Sequence, residues 1–406
     1  MKKVLTVLIF LMTFSFNFVE AEAFDITSNN VILYNLNDNN VLYEKSSNEK
    51  VQIASLTKIM TTIVALENID NLDSEIVINS EVFNDIKEYA QAGLKVGDKV
   101  TYRDLLYGVM LPSGADCVNA LIFSISKNKD DFIKLMNEKA LDLGLKNTKF
   151  DNAIGMDSKD NYSTASDLAI LLEYALNNET FKTIFTTQKY TIKNLNLKLK
   201  STLLTYGKSL DVSNIKGAKS GYTDGAGVCL ASIATLNNVD YLLVVLGAEV
   251  SNRANAVKDS LLIYDYYDKN YSYRSVIEKG QVLEKINIKW GHEKTYNIKS
   301  DKNVSLYLKN NINIDDLVYY YEGVDELNYK IKKGDKLGTV TVLYDDEKLT
   351  TYDVYLQDDL KYYHPIIYTI MFIALILMIV SLIQIKNKKK KRKKRTKKSR
   401  KKNIIG

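Results

Sequence analysis

Two short apolar runs lie before residue 45, and further along the chain the apolar residues recur with a helical period. Short runs rich in apolar residues at Val31–Tyr34 and Val41–Glu44, on either side of a run rich in Asn and Asp, predict two short strands joined by a turn. After Ser55, apolar residues recur every three or four positions from Ile59 to Ile69. This spacing predicts that Ser55 stands at the beginning of a helix.

The helical period continues to about Leu176, and a strand pattern returns near Gly227. The clearest predicted elements are two amphipathic helices, two strands and a closing helix, at Asp131–Leu143, Ser166–Leu176, Val228–Ala234, Val239–Leu246 and Asn255–Tyr267. Strands at both ends of a segment, with a helical block between them, are typical of an α+β domain that builds one antiparallel sheet from both ends. The pattern therefore predicts such a domain over residues 24–270.

A strand-rich pattern follows this domain. Short apolar runs separated by glycine-containing turns are predicted to be strands, at Lys285–Lys289, Lys294–Ile298, Val304–Leu308, Val318–Tyr321, Tyr329–Ile331, Leu337–Leu343 and Thr350–Tyr355. Regular short strands with turn residues between them predict a small all-β sandwich over residues 274–358.

The C-terminal end of the chain predicts a membrane anchor. Residues 366–385 carry no charge and are long enough to cross a bilayer as a helix. Pro365 suits the first turn of such a helix, and the aromatic residues at 362–364 suit a membrane interface. Residues 386–406 contain fourteen Lys or Arg, which predicts a cytoplasmic tail next to membrane lipid.

The N-terminal end has the features of a secretory signal. Lys2 and Lys3 precede the apolar run Val4–Phe18, and Ala21–Ala23 offers a small-residue cleavage site. We therefore expect residues 1–23 to be a signal peptide, with an uncleaved anchor helix as the alternative. A cleaved signal and a C-terminal span together would leave residues 24–360 outside the cytoplasm.

The net charge of +6 is local to the tail, because fourteen basic residues lie there and the rest of the chain is net acidic. This distribution argues against a nucleic-acid-binding domain. A stop-transfer role explains the basic tail, although a nucleic-acid or targeting role for it is an alternative.

Cysteine and histidine are scarce. The two cysteines, Cys117 and Cys229, are expected to be buried thiols, with one disulfide as the alternative. The two histidines, His292 and His364, both lie outside residues 24–270. A Ser-His-Asp triad and a zinc site are therefore poorly supported, and we expect no metal or cofactor. A hydrolase of this composition would need lysine as its base.

A serine and a lysine suited to that chemistry stand one helical turn apart at Ser55 and Lys58, in an S-x-x-K motif. The motif alone is weak evidence, because the chain contains it at five other places, at Ser47, Ser124, Ser126, Ser213 and Ser399. Ser55 differs from these because it opens an apolar helix after a strand pair. Two further motifs follow it, Ser113–Asp116 after Pro112 and Lys219–Gly221 before the predicted strand pair.

The order S-x-x-K, S-x-N-like and K-[ST]-G is the set found in penicillin-binding proteins and class A β-lactamases. The motifs and their surroundings resemble the D-alanyl-D-alanine carboxypeptidase family, the low-molecular-mass penicillin-binding proteins of the serine peptidase S11 type. The segments that carry the resemblance are Ala54–Thr61, Leu105–Gly114, Tyr162–Ala169 and Gly217–Thr223. The resemblance covers residues 25–270 well and the β-rich region more loosely.

The resemblance implies a β-lactamase-like catalytic domain and a reaction. Ser55 would attack the bond between two D-alanines of a peptidoglycan stem peptide, form an acyl-enzyme and release the terminal D-alanine. Lys58 would be the base, and Ser113 would pass the proton to the leaving nitrogen. The same family binds β-lactam antibiotics as acylating inhibitors.

The resemblance also implies substrate-binding residues. Lys219 and Ser220 would hold the terminal carboxylate, and Arg253 would add charge for it. The backbone N–H groups of Ser55 and Tyr222 would form the oxyanion hole.

One departure from the family weakens the expected rate. Ala115 stands where the family usually has an asparagine that helps to bind the substrate amide and to order the lysine. A family member that binds stem peptides without cleaving them is therefore an alternative.

The other alternative is a class A-like β-lactamase, because Glu173–Asn177 matches the E-x-x-L-N motif that such an enzyme needs. Its position inside the predicted helix at Ser166–Leu176 instead indicates a helix surface.

Overall fold

The computed structural model describes residues 24–126, 128–363 and 365–402. The expected signal peptide at 1–23 and the interfacial residue His364 lie outside the described residues. The chain divides after Asn270 into two compact units, which are described separately below.

In the part of the first unit that the structure describes, the strands are β1 (Asn30–Asn35), β2 (Asn40–Lys45), β3 (Glu75–Val77), β4 (Lys99–Thr101), β5 (Lys189–Ile192), β6 (Leu197–Lys200), β7 (Ile215–Thr223), β8 (Gly227–Leu236) and β9 (Val239–Ala248). The α-helices are α1 (Thr57–Asn68), α2 (Tyr102–Met110), α3 (Ala115–Ile125), α4 (Lys129–Asp142), α5 (Ala165–Leu176), α6 (Glu179–Thr186), α7 (Thr202–Tyr206) and α8 (Asn255–Asn270).

A five-stranded antiparallel sheet in the order β2-β1-β9-β8-β7 unites the two ends of this unit. The central strand β9 is hydrophobic along nearly its whole length because both of its faces are covered. Leu242, Val244 and Leu246 belong to the core formed with the helical block. The alternate residue Tyr241 contacts Tyr264 of α8 on the other face. The predicted α+β fold is confirmed.

The predicted strands and helices of this unit are present, with bounds that differ by a few residues. Lys219–Gly221 precedes the predicted strand pair, which is β8 and β9, as expected. The motif itself lies in a strand that the sequence analysis did not predict, β7, which pairs with β8. The sequence of β7 hides this strand, because Gly217 and Gly221 interrupt its apolar alternation. Antiparallel pairing with the next strand, β8, determines the conformation instead.

The helical block is fixed by local capping. Thr101 accepts a hydrogen bond from the backbone of Asp104, whose carboxylate accepts one from the Thr101 backbone, so α2 begins with a capping box. Thr164 caps α5 through a hydrogen bond that its side chain accepts from the Asp167 backbone. Glu173 lies on α5, so the prediction that its motif belongs to a helix is confirmed.

In the described part of the second unit, the strands are β10 (Tyr271–Ile277), β11 (Val282–Ile288), β12 (Thr295–Lys299), β13 (Val304–Lys309), β14 (Val318–Gly323), β15 (Glu326–Leu327), β16 (Lys336–Tyr344) and β17 (Glu347–Tyr355). They form small sheets of two or three strands around one buried apolar core. The predicted all-β character is confirmed.

The prediction of a strand at Tyr329–Ile331 was wrong. Asn328 forms a turn there instead: its side chain accepts a hydrogen bond from the Lys330 backbone, and its carbonyl accepts one from the Ile331 backbone. An asparagine that bonds the backbone two residues later favours a turn over a strand.

The C-terminal helix α9 (Pro365–Lys402) includes both the predicted span and most of the basic tail. Its apolar part, from Ile366 onwards, is long enough to cross a membrane, and its side chains are exposed. Such a helix is compatible with membrane anchoring.

The two cysteines are buried as free thiols in different elements, Cys117 in α3 and Cys229 in β8, as predicted. Burial raises the pKa of Cys117 well above its usual range and that of Cys229 to about 12. Both groups are therefore protonated thiols at neutral pH.

Candidate active site

Ser55 lies in a single turn of 3₁₀ helix, Ala54–Leu56, that leads directly into α1. Ala54 has a left-handed backbone, with φ +46°. Two glycines make room for this turn: a Cβ on Gly155 would lie 2.0 Å from the Ala54 carbonyl oxygen, and a Cβ on Gly221 would lie 2.9 Å from the Ser55 nitrogen. We call Ala54–Leu56 the nucleophile turn, after the role that is expected of Ser55, and it is enclosed by a loop on one side and by β7 on the other.

Lys58 lies one turn along the helix from Ser55, and its Nζ is 3.0 Å from Ser55 Oγ. The lysine is 1% exposed, and its Nζ donates a hydrogen bond of 2.5 Å to the Ile154 carbonyl. Burial, and after it the charge of Lys219, hold the pKa of Lys58 well below its usual range, against an opposing effect of Asp116. These surroundings favour a neutral amine, which can accept a proton from the serine.

The Ile154 carbonyl is held by a tight loop that the sequence analysis did not identify. The side-chain oxygen of Asn152 accepts hydrogen bonds from the backbone N–H groups of Gly155 at 2.7 Å and Met156 at 2.9 Å. Gly155 has φ +88°, a conformation that favours glycine. The Asn-x-x-Gly spacing was the available signal, but nothing in the sequence connects it to Lys58.

Ser113 lies between α2 and α3, where it is 5% exposed. Its backbone is left-handed, with φ +67°, which is uncommon for a residue other than glycine. Lys219 Nζ donates a hydrogen bond of 3.0 Å to Ser113 Oγ, across 106 residues of sequence. The second and third motifs therefore meet in the folded chain.

Lys219 is fully buried within β7 and also donates a hydrogen bond of 2.8 Å to the Ser220 carbonyl. Burial lowers the pKa of Lys219 to about 7. A lysine in this state can be charged or neutral near neutral pH, and a bound anion would favour its charged form.

Ser220 is also buried, and its hydroxyl donates a hydrogen bond of 2.6 Å to Thr202 Oγ1 at the start of α7. Thr202 is a second residue that sequence analysis missed, because no motif surrounds it. The two hydroxyls form a polar pair beside Lys219, so α7 supports the K-[ST]-G strand.

Tyr222 and Arg253 meet at a more exposed position. The Arg253 guanidinium lies over the Tyr222 ring, and the Tyr222 hydroxyl donates a hydrogen bond to Asp224. The structure thus brings Arg253 to the end of β7 that follows the K-[ST]-G motif.

Ala115 is completely buried as the first residue of α3, so no side-chain amide is present at this position of the second motif. The next residue, Asp116, is also buried, and it accepts backbone hydrogen bonds from Ala92, Gly93 and Leu94. The second motif therefore anchors a neighbouring loop through its fourth residue.

Comparisons with known proteins identify the family of this chain. A family profile described as D-alanyl-D-alanine carboxypeptidase matches residues 17–250, and one described as the C-terminal domain of penicillin-binding protein 5 matches residues 271–362. D-alanyl-D-alanine carboxypeptidase DacF of Bacillus subtilis is 30% identical over 79% of this chain and 82% of its own length.

Solved structures resemble the chain in sequence and fold. The Streptomyces K15 DD-transpeptidase is 32% identical, with a TM-score of 0.54 over 59% of this chain and 97% of its own. The carboxypeptidase DacD from Francisella tularensis is 23% identical and shares the fold, with a TM-score of 0.65 over 84% of this chain and 95% of its own. The expected resemblance is confirmed, and the chain belongs to the D-alanyl-D-alanine carboxypeptidase family of serine peptidases.

Proposed function

We propose that this chain removes the terminal D-alanine from peptidoglycan stem peptides through an acyl-enzyme on Ser55. One observation carries the proposal: Ser55 with the buried Lys58, and Ser113 with the buried Lys219, form two serine–lysine pairs, each with a 3.0 Å contact, and the charge of Lys219 acts on Lys58. This arrangement offers a nucleophile, a neutral base and a second cationic group without any histidine.

In the first step, the neutral Nζ of Lys58 accepts the hydroxyl proton of Ser55 while Oγ attacks the carbonyl carbon of the penultimate D-alanine. The carbonyl oxygen becomes an oxyanion, which the N–H groups of Ser55 and Tyr222 would stabilise. The close approach of Gly221 to the Ser55 nitrogen supports this assignment, because β7 passes directly beside the nucleophile.

In the second step, the carbon–nitrogen bond breaks and the leaving D-alanine nitrogen takes a proton. Ser113 would donate its hydroxyl proton to that nitrogen and receive one from Lys58, so that Lys58 returns to the neutral form. Water then hydrolyses the ester on Ser55, and the shortened peptide leaves. The hydrogen bond between Ser113 and Lys219 supports this role because it orients the hydroxyl.

The substrate carboxylate would bind Lys219 and Ser220. Thr202 would contribute through its hydrogen bond to the Ser220 hydroxyl, and Arg253 would add positive charge from the end of β7. Acylation by β-lactams would follow the same path, because their carboxylate and strained amide present the same groups to Ser55.

We also propose a membrane topology. Residues 24–270 form the catalytic domain and residues 274–358 the β domain, both outside the cytoplasm. Residues 366–385 span the membrane, and the basic residues from 386 onwards lie in the cytoplasm. The exposed apolar part of α9, followed directly by its lysine-rich part, supports this arrangement. Protease protection of the tail in sealed, correctly oriented membranes tests it.

The decisive experiment measures fluorescent-penicillin labelling and D-alanine release from a pentapeptide by the full chain. Wild-type protein should be labelled slowly and release D-alanine, and Ser55→Ala should lower both by about 10³-fold or more. Ser213→Ala is a matched control, because Ser213 begins another S-x-x-K but is exposed, and it should leave both unchanged.

Absence of label on the wild type would refute the proposal and favour a non-cleaving stem-peptide binder. Fast turnover of the chromogenic cephalosporin nitrocefin would instead favour the β-lactamase alternative.

A further inference from the structure

The turn between β11 and β12 holds an unusual tryptophan. Trp290 is the single tryptophan of the chain, and its side chain is 55% exposed. Its backbone is left-handed, with φ +60°, which is a strained conformation for a bulky residue. A strained, exposed aromatic residue in a structural turn suggests that its presence serves a contact outside the domain.

This turn is joined to the segment that leads into α9. The Tyr363 backbone donates a hydrogen bond of 2.6 Å to the Trp290 carbonyl, and the His292 backbone donates one of 2.9 Å to the Lys361 carbonyl. The His292 ring also stacks on Tyr363. The Trp290 turn is therefore fixed within two residues of the first residue of α9, at the place where the proposed span begins.

Aromatic residues from the turn and from the first turns of α9 lie together. Trp290, Tyr363, Tyr368 and Phe372 line a shallow apolar cleft, and each of these side chains is substantially exposed. Tryptophan and tyrosine are enriched at the level of lipid headgroups, where an apolar ring and a polar edge are both satisfied. The cleft lies at that level if α9 spans the bilayer.

Basic groups lie on the next surface of the same domain. His292, Lys332 and Lys361 line a neighbouring depression together with Tyr329. Lysines beside an aromatic belt can place their ammonium groups near lipid phosphates while their aliphatic parts cover apolar surface. Aromatic and basic residues thus lie side by side, which is the arrangement that favours binding to an anionic membrane surface.

We propose that the lipid-contact surface, defined as Trp290, Tyr363 and Tyr368 with the basic residues His292, Lys332 and Lys361, binds the headgroup layer of the bilayer. The Trp290 ring enters the interface, and the basic groups lie over lipid phosphates. This proposal rests on the proposed membrane span and adds a second point of attachment to it. With two points of contact, the β domain has a fixed orientation on the membrane rather than turning freely about the end of α9.

The single tryptophan provides a direct test. The full chain is reconstituted in vesicles of phosphatidylcholine and phosphatidylglycerol whose acyl chains carry bromine either near the headgroup or near the bilayer centre. If Trp290 lies in the interface, its emission shifts to the blue relative to the detergent-free unfolded chain, and the shallow bromines quench it about twofold more than the deep ones.

A control protein carries Trp290→Phe together with Tyr320→Trp, which moves the tryptophan to an exposed strand position outside the lipid-contact surface. Its emission should be quenched by iodide in the buffer and little by either brominated lipid.

The proposal is overturned if Trp290 of the wild-type chain is quenched by iodide as strongly as the control and is not quenched by the shallow bromines. Resistance of α9 to alkaline extraction is measured on the same vesicles, and penicillin labelling reports Ser55. A failure of the lipid-contact surface is therefore separated from a failure of the span or of the active site.

Discussion

The amide oxygen of Asn152 lies 2.7 Å from the backbone nitrogen of Gly155 and thereby orients the neighbouring Ile154 carbonyl toward Lys58. The general base of the proposed mechanism is thus positioned by a loop residue almost a hundred positions away in sequence. Ala115 in the second motif has no amide group that could bond Lys58. The Ile154 carbonyl of this loop is a hydrogen-bond partner that Lys58 has instead.

Asn152→Ala should reduce the rate of penicillin acylation about 10- to 100-fold, because the loop loses the acceptor that fixes the Ile154 carbonyl. The pH dependence of acylation should also shift, since Lys58 loses a defined hydrogen-bond partner. Asn178→Ala is the control: it removes the N-cap of α6 and should cost about 1 kcal/mol of stability with the acylation rate unchanged. Equal rates in the wild type and Asn152→Ala would exclude the positioning role.

The pH dependence of acylation should have two limbs. The rate should rise with pH as Lys58 loses its proton, at a pH well below the usual lysine range. It should fall again as Lys219, whose pKa is about 7 in the free protein, loses the charge that attracts the substrate carboxylate. Stopped-flow acylation from pH 5 to pH 10 measures both limbs. A rate that rises steadily across that range would contradict the carboxylate role of Lys219.

Lys219 should also make stability depend on pH. Its pKa is about 7 when folded and near the usual lysine value when unfolded, so between these values the unfolded chain binds the extra proton. Stability contributed by this group therefore rises as the pH increases through that window. For one proton the slope approaches about 1.4 kcal/mol per pH unit. Urea unfolding of Lys219→Met between pH 7.5 and pH 9.5 should show a smaller slope than the wild type.

The sequence predicts contacts between site residues that are close in sequence, and it does not predict contacts between residues that are far apart in sequence. Ser55 and Lys58 could be paired from their spacing alone, because one helical turn places them together. The contacts of Lys58 with Ile154 and of Lys219 with Ser113 span 96 and 106 residues, and no periodic pattern encodes them.

The errors in secondary structure have a different cause, because the interactions involved are close in sequence. The sequence does not predict β7, because its two glycines weaken the strand pattern and pairing with β8 overrides them. It predicts a strand at Tyr329–Ile331 from two apolar residues, whereas hydrogen bonds to Asn328 form a turn there. In each case the deciding interaction was a hydrogen bond that hydropathy does not report.

Two substitutions of Ser113 can separate the effect of its left-handed backbone on stability from the effect of its hydroxyl on the reaction. Both Ser113→Gly and Ser113→Ala remove the hydroxyl, so both should slow D-alanine release by about 10²-fold or more. Only glycine accepts the φ of +67° without cost, so Ser113→Gly should be more stable than Ser113→Ala by about 1 kcal/mol. Thermal unfolding compares the two variants. Full activity of Ser113→Gly would show that the backbone, and not the hydroxyl, matters here.

Gly155 and Gly144 offer a matched pair for testing how the nucleophile turn is enclosed. Both have a positive φ, at +88° and +71°, so alanine is strained at either position. A Cβ at Gly155 would lie 2.0 Å from the Ala54 carbonyl oxygen, whereas a Cβ at Gly144 would meet nothing within 4 Å.

Gly144→Ala should therefore cost about 1 kcal/mol of stability and leave penicillin acylation unchanged. Gly155→Ala must displace the turn that carries Ser55, so it should destabilise by about 3 kcal/mol or more and abolish labelling of the folded fraction. Labelling is normalised to folded protein by circular dichroism at low temperature. Since the two substitutions share their backbone strain, any difference in labelling per folded molecule reports the contact with the nucleophile turn alone. Equal labelling of the two variants would mean that this turn tolerates the displacement.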